Sequence, residues 1–134
     1  MLDGFETLTP IVGAPTMSVT EIGLSFNKSA VEKMGKAQYA KIMINRTTQQ
    51  IALVRCNEED EGARGFLKRG RDPRMGVRWN NYDLKSEISQ LMNWDLSMEG
   101  KKIKGNYKKD DTALIFDLNR ATALPARSKG GFDE

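Results

Sequence analysis

The chain contains no histidine and only one cysteine, and both shortages restrict its chemistry. Imidazole is the usual general base, the usual partner of serine or cysteine nucleophiles, and the commonest transition-metal ligand. A single thiol, Cys56, excludes an internal disulfide and a multi-cysteine zinc site. We expect Cys56 to act as a small apolar residue at a strand end. The sequence therefore predicts a protein that is not an enzyme and holds no metal or cofactor.

Long apolar runs and familiar ligand-binding motifs are missing as well. No window approaches the roughly 18 consecutive apolar residues of a membrane span. The start, Met1 to Glu6, is acidic and lacks the basic region and apolar stretch of a signal peptide. The acidic run Glu58–Glu61 lacks the alternating ligands and central glycine of a calcium loop, so a solvated run is the better interpretation. These absences predict a cytoplasmic protein with no membrane partner.

Two dense basic blocks stand out in a chain whose formal net charge is only +3. Residues 64–78 hold six basic side chains against Asp72 alone, and residues 101–109 hold five lysines. Lysine and arginine neutralise phosphates, and this term dominates nucleic-acid affinity. The alternative is solubilising charge, since lysines on an edge hairpin also prevent aggregation. The candidate nucleic-acid-binding residues are Arg64, Lys68, Arg69, Arg71, Arg74, Arg78, Lys101, Lys102, Lys104, Lys108 and Lys109.

Four aromatic residues lie within or just after the first basic block: Phe66, Trp79, Tyr82 and Trp94. Aromatic side chains among basic ones can stack on unpaired bases. The alternative is that Trp79 and Trp94, which flank an amphipathic helix, fill the core. We expect one of the four to be exposed for stacking.

A short pattern occurs twice, at Gly23–Asn27 and again at Gly76–Asn80. Both copies follow the order glycine, apolar, polar, aromatic, asparagine, and a predicted helix and hairpin follow each. Internal repeats decide the architecture of a chain. The pattern predicts an α+β fold in which two strand–helix–hairpin repeats form a mainly antiparallel sheet with two helices packed on it.

The predicted organisation is a single domain, 1–134, a length that suits one buried core. Its parts are an extended arm at 1–16, a first repeat at 17–56, a basic and acidic loop at 57–73, a second repeat at 74–119 and a loose tail at 120–134.

Local signals place the elements inside each repeat. The first repeat is predicted to contain a strand at 17–25, a helix starting at Asn27 or Ser29, and a hairpin at 39–55. That hairpin is apolar at nearly every position, which predicts cover on both faces by helices or a second subunit. The second repeat is predicted to contain a strand at 74–79, a helix and a hairpin formed by 101–107 and 112–118. The helix is marked by one buried stripe, Leu84, Ile88, Leu91 and Met92.

The stretch from Glu21 to Gly35, with the hairpin 39–55, resembles the AbrB/SpoVT-type swapped-hairpin domain. That family has glycine, apolar, polar, apolar, proline and lysine before a short helix ending in Leu-Gly, and Lys28, Met34 and Gly35 match. Asn27 replaces the usual proline, and Gln38-Tyr39 replaces the usual Gly-Asp. The resemblance implies a DNA-binding pseudo-dimer formed by one chain, with basic contacts near Lys28, Lys33 and Lys36.

The function these features predict is a non-enzymatic nucleic-acid-binding protein, of phage or mobile-element type, that contacts the phosphate backbone through basic loops. Its predicted partners are single- or double-stranded DNA and a second copy of the chain in a homodimer. The alternative is a structural or protein–protein interaction module that assembles through its apolar hairpins.

Overall fold

The computed structural model describes residues 3–4, 14–67, 76–108, 110 and 112–124, which form an α+β fold with a curled antiparallel sheet. The α+β class predicted from the sequence is confirmed. The strands are β1 Thr16–Val19, β2 Leu24–Phe26, β3 Tyr39–Asn45, β4 Gln50–Arg55, β5 Arg64–Gly65, β6 Val77–Trp79, β7 Gly100–Lys108, β8 Ala113–Asp117 and β9 Thr122–Leu124. The helices are α1 Lys28–Lys33 and α2 Tyr82–Met92, and a 3-10 helix covers Leu118–Arg120.

The sheet follows the order β5-β3-β4-β8-β7-β1-β2-β6, and β7 is its longest strand. One edge of β7 pairs with β1. The opposite edge pairs with β8 over Gly105–Lys108 and with β9 over Gly100–Lys102. The 3-10 helix connects β8 and β9, which pair with this edge at separate places along β7. β7 therefore joins the two halves of the sheet.

The core lies on the concave side of the sheet, where alternate strand residues point inward. Met17, Val19, Leu24 and Phe26 are each at most 2% exposed. Phe26 sits at the centre of an aromatic cluster, with ring centroids 5.6 Å from Phe66, 5.3 Å from Trp79 and 6.1 Å from Phe116. Tilted and edge-on pairs at these distances are favourable beyond their buried area.

Both helices begin at an asparagine cap, and Asn27 is one of the two starts that the sequence allowed for the first helix. The Asn27 side chain accepts a hydrogen bond from the Ala30 N–H at 2.9 Å, and the Asn81 side chain accepts from the Leu84 N–H at 2.8 Å. Ile88 of α2 is 1% exposed, and the rest of its apolar stripe packs against the core, which confirms the periodicity argument. Among the described residues, neither helix has the length and apolar character needed to cross a bilayer.

The predicted single strand over 17–25 is wrong, because a tight turn divides it into β1 and β2. Thr20 and Gly23 exchange backbone hydrogen bonds of 2.9 and 3.2 Å. Ile22, whose alternation with its neighbours favoured one strand, lies in this turn and is 61% exposed.

Three further predictions need correction. The loop 57–73 contains the short strand β5, which pairs with β3. The loose tail 120–134 contains β9, held by its pairing with β7, while 125–134 lie outside the described residues. The hairpin 39–55 forms as β3 and β4, but neither described helix covers its outer face at Met43, which is 54% exposed. Cover by a second subunit stays a prediction.

Candidate nucleic-acid interface

The outer face of the sheet carries a row of polar side chains that crosses five strands. Lys102 lies opposite Ser18 of β1 on one side and opposite Thr122 of β9 on the other. Ser18 lies opposite Ser25, and Ser25 lies opposite Arg78 of β6. Directly opposed residues in an antiparallel pair point to the same face. We call this set, Thr122, Lys102, Ser18, Ser25 and Arg78, the outer row.

Basic residues from both sequence blocks meet on this face. Three strand spacings separate Lys102 from Arg78, which is about 14 Å between Cα atoms. Lys104 and Lys108 share the face because they follow Lys102 at even spacing along β7, and all four side chains are exposed. No carboxylate of the described residues lies within 4.0 Å of these four cations. We call Arg78, Lys102, Lys104 and Lys108 the basic face.

The remaining predicted site residues are placed differently or lie outside the description. Lys101 points to the opposite side of β7, where its ammonium lies 5.6 Å from the Trp94 ring centroid and 2.7 Å from Glu99. Arg64 lies on β5, at the far end of the sheet order from β6. The other predicted contacts, Lys68, Arg69, Arg71, Arg74 and Lys109, lie outside the described residues.

A cleft of about 390 Å³ separates the two end strands of the sheet, β5 and β6. Residues 64–67 form one wall, and residues 76–81 form the other. The Trp79 indole N–H crosses from β6 and donates to the Gly65 carbonyl oxygen at 2.8 Å. We call this space the seam cleft, because the curled sheet nearly closes there.

Two arginines line the seam cleft. The guanidinium carbon of Arg64 lies 5.9 Å from the Trp79 ring centroid, a cation–π arrangement that orients its planar group. Arg78 is exposed and belongs to both the cleft wall and the outer row. No aspartate or glutamate is among the described lining residues, so the charge of the wall is positive.

The four aromatic candidates divide as the sequence predicted, with one strongly exposed. Phe66 and Trp79 are buried in the aromatic cluster, and Trp94 packs against the core. Tyr82 is 71% exposed, and the Lys85 ammonium lies 4.6 Å from its ring centroid. The helical period could have identified Tyr82, since it lies off the stripe of Leu84 and Ile88.

The pKa values of the Cys56 thiol and the Tyr39 phenol are both shifted by their surroundings. Partial burial and the Asp60 carboxylate raise the pKa of the Cys56 thiol, while Lys41 opposes the shift. The negative charge of Glu58 raises the pKa of Tyr39, and burial and a hydrogen bond to Glu58 add to the shift. No group of three or more metal-ligating side chains occurs within these described ranges.

Sequence reasoning missed Ser18 and Ser25, which fill the centre of the outer row. Their local pattern carried a usable signal, because Met17-Ser18-Val19, Leu24-Ser25-Phe26 and Val77-Arg78-Trp79 are each apolar, polar, apolar. Such alternation predicts one solvent-facing side chain per strand. Which of these side chains become neighbours depends on strand register, which local pattern does not give.

Comparison with known protein families, curated proteins and solved structures gives no match for this chain. The similarity of residues 21–55 to the AbrB/SpoVT-type domain therefore stays a prediction.

Proposed function

We propose that this chain is a non-enzymatic nucleic-acid-binding protein that contacts the phosphate backbone through its basic face. The observation that carries the proposal is the register of β7, β1, β2 and β6, which brings Arg78 from the first basic block onto the face of Lys102 and Lys104. Charges from separate sequence blocks converge without a described carboxylate to neutralise them.

The hydroxyl groups between the cations add to this support. Ser18 and Ser25 lie between Lys102 and Arg78, and serine hydroxyls are common donors to phosphate oxygens. The outer row contains cations and hydroxyl groups but no acidic residue. Such a row suits a polyanion better than a protein surface of mixed charge. The partner is DNA, and binding at phosphates is expected to tolerate many sequences.

The basic loops belong to the same proposal. Leu67 and Gly76 line the seam cleft, and the sequence between them contains Lys68, Arg69, Arg71 and Arg74. These residues and Lys109 lie outside the described part of the chain, so their contribution is proposed on charge alone. A cytoplasmic protein of phage or mobile-element type is the setting that we propose.

Binding to fluorescent single-stranded and double-stranded DNA at low salt tests the proposal. The wild type is expected to bind at least one of them, with an affinity that falls steeply as salt rises. The double substitution Lys102→Gln/Lys104→Gln is expected to weaken binding by roughly tenfold, because each lost phosphate contact also reduces the counterion release.

A matched control removes the same charge elsewhere. Arg46→Gln/Arg55→Gln removes two exposed cations from the β3–β4 hairpin, where Arg46 pairs with Glu87 at 2.7 Å. This control is expected to bind DNA nearly as the wild type does. Failure of the wild type to bind either DNA, or equal losses in both double variants, would overturn the proposal.

We also propose that the sheet is formed by two related strand–helix–hairpin units. The support is reciprocal pairing: β2 of the first unit pairs with β6 of the second, and β4 pairs with β8. β1, which lies just before β2 in the first unit, pairs with β7, while β5, which lies before β6, pairs with β3. Two units in one chain is also what the AbrB/SpoVT-type resemblance implies.

A second candidate function is assembly through the apolar hairpin, with a second copy of the chain as the partner. Met43 lies opposite Ala52, and Ala52 lies opposite Ile115, so the three side chains share the outer face of the sheet. Met43 is 54% exposed. Light scattering after size exclusion separates the alternatives. A dimer that Met43→Lys converts to a monomer favours assembly, and a wild-type monomer at all concentrations counts against it.

A further inference from the structure

At the seam cleft the two end strands of the sheet, β5 and β6, face each other, and their described residues form no backbone ladder between them. β5 pairs with β3, and β6 pairs with β2. Between the described residues of the two ends, the Trp79–Gly65 hydrogen bond is the bridge. A space of about 390 Å³ falls within the range of small-ligand sites.

The charged groups of the cleft suit a phosphate. Arg64 and Arg78 come from opposite walls, and a guanidinium can hold two phosphate oxygens at once. Gly65 leaves the approach open among the described residues, since a Cβ built on it would meet none of their atoms within 4 Å. A ligand atom can therefore approach the β5 backbone more closely than a side chain there would permit.

The remaining lining suits a flat ring with polar edges. Phe66, Leu67, Val77 and Trp79 are 4–9% exposed and supply an apolar floor. Asn80 is exposed at the rim, and its amide offers both a donor and an acceptor. Amide side chains of this kind recognise the edges of bases. A bare phosphate would leave the apolar floor uncovered.

We infer that the seam cleft binds one nucleotide, with its phosphate between Arg64 and Arg78 and its base over the floor formed by Phe66 and Val77. The inference rests on the proposed function for its choice of ligand class; it shares Arg78 with the basic face but does not use Lys102 or Lys104. The same chemistry is presented by a free mononucleotide and by an unpaired nucleotide within a strand.

The test uses the full chain with Trp94→Phe, which leaves Trp79 as the single tryptophan. Equilibrium dialysis with dTMP measures binding, and Trp79 emission reports whether the ligand enters the cleft. Saturable binding of dTMP with a change in emission is expected, and thymidine and inorganic phosphate are each expected to bind at least about tenfold more weakly, since each lacks one half of the ligand.

Charge variants separate the cleft from the lysines of the basic face. Arg64→Gln and Arg78→Gln are each expected to weaken dTMP binding about tenfold or more, as hydrogen bonds to charged groups are lost. Lys102→Gln/Lys104→Gln is expected to leave dTMP affinity unchanged while it weakens DNA binding. Competition by single-stranded but not duplex DNA would identify the source as a strand, and no competition would identify it as free nucleotide.

The outcomes distinguish this inference from the proposed function. No dTMP binding, or binding that Arg64→Gln and Arg78→Gln both leave unchanged, overturns the nucleotide site even if DNA still binds the basic face. Binding of dTMP by a protein that binds no DNA leaves the cleft as a nucleotide site and overturns the proposed function.

Discussion

Ser25 and Arg78 lie directly opposite each other at the centre of the antiparallel pair formed by β2 and β6. On either side of them Leu24 faces Trp79, and Phe26 faces Val77. Each strand thus places its aromatic residue against the aliphatic residue of the other, so the pairing has the same pattern from either end. The side chains of Ser25 and Arg78 point outward, and the four apolar neighbours point into the core.

Gly23 and Gly76 allow this pair of strands to approach closely. A Cβ on Gly23 would overlap the Trp79 carbonyl oxygen, and one on Gly76 would lie 2.5 Å from the Phe26 carbonyl oxygen. Gly76 also has a φ of +72°, which side-chain-bearing residues rarely adopt. We expect Gly23→Ala and Gly76→Ala each to lower the free energy of unfolding by about 3 kcal/mol, measured by urea denaturation.

Gly65→Ala is the matched control for these two substitutions. Its added Cβ meets no atom of the described part of the chain within 4 Å, so a change of at most about 0.5 kcal/mol in the free energy of unfolding is expected. If Gly23→Ala proved as stable as Gly65→Ala, that result would contradict the close approach of β2 and β6 at Gly23.

The local sequence predicted best those elements whose signals lie within a few residues, such as helix caps and the helical period. Asn27 and Asn81 cap their helices through bonds to residues three positions later, and the α2 stripe follows the helical period. The Thr20–Gly23 turn was missed because Val19, Ile22 and Leu24 continue an apolar pattern through it. Gly23 also lies against Trp79, far away in sequence, and no local pattern contains that contact.

The candidate site was harder to predict than the fold class. Charge density identified the blocks that contain Arg78 and Lys102, but their proximity depends on the serines of two intervening strands. Lys101 and Lys102 point to opposite faces because successive side chains of a strand alternate. A count of charges along the sequence does not distinguish the two faces. β9 was missed because Thr122–Leu124 is too short to show a period and is held by pairing with β7.

Asn27 is expected to contribute more to stability than the equivalent cap Asn81. Besides capping Ala30, its side chain accepts from the Thr16 N–H at 3.0 Å and donates to the Ala14 carbonyl at 2.9 Å. Asn81→Ala is expected to cost about 1 kcal/mol, the usual value for a lost cap. Asn27→Ala is expected to cost about 2 kcal/mol, because the partly buried Thr16 N–H also loses its partner.

Urea denaturation of the two alanine variants under one condition measures this difference. Asn27→Asp serves as a control, since its carboxylate can still accept from Ala30 and Thr16 but cannot donate to Ala14. Equal decreases in the free energy of unfolding for Asn27→Ala and Asn81→Ala would show that the hydrogen bond from Thr16 of β1 to Asn27 adds nothing to stability.

Lys101 and Lys102 form a matched pair for testing the basic face, since they are adjacent in sequence and point to opposite sides of β7. Lys102→Gln is expected to reduce the slope of log affinity against log salt by about 0.9 for duplex DNA, the effect of one lost phosphate contact. Lys101→Gln is expected to leave that slope unchanged, because its ammonium already contacts Glu99 and Trp94. Titrations at several salt concentrations measure both slopes, and equal slopes for the two variants would contradict the assignment of faces.

The Cys56 thiol is expected to react slowly in the folded protein. Partial burial and the negative charge of Asp60 raise its pKa, so the thiolate forms at higher pH than in the unfolded chain. Because the folded pKa lies above the unfolded one, this group's contribution to stability is complete below the unfolded pKa and is lost as pH rises through the folded pKa.

Iodoacetamide alkylation followed across pH, in the native protein and in urea, is expected to show a higher midpoint for the native protein. Asp60→Asn keeps an acceptor for the Asn57 N–H, a bond of 2.8 Å in the wild type, and should move the native midpoint down. A native midpoint at or below that of the urea-unfolded chain would contradict the proposed environment of Cys56.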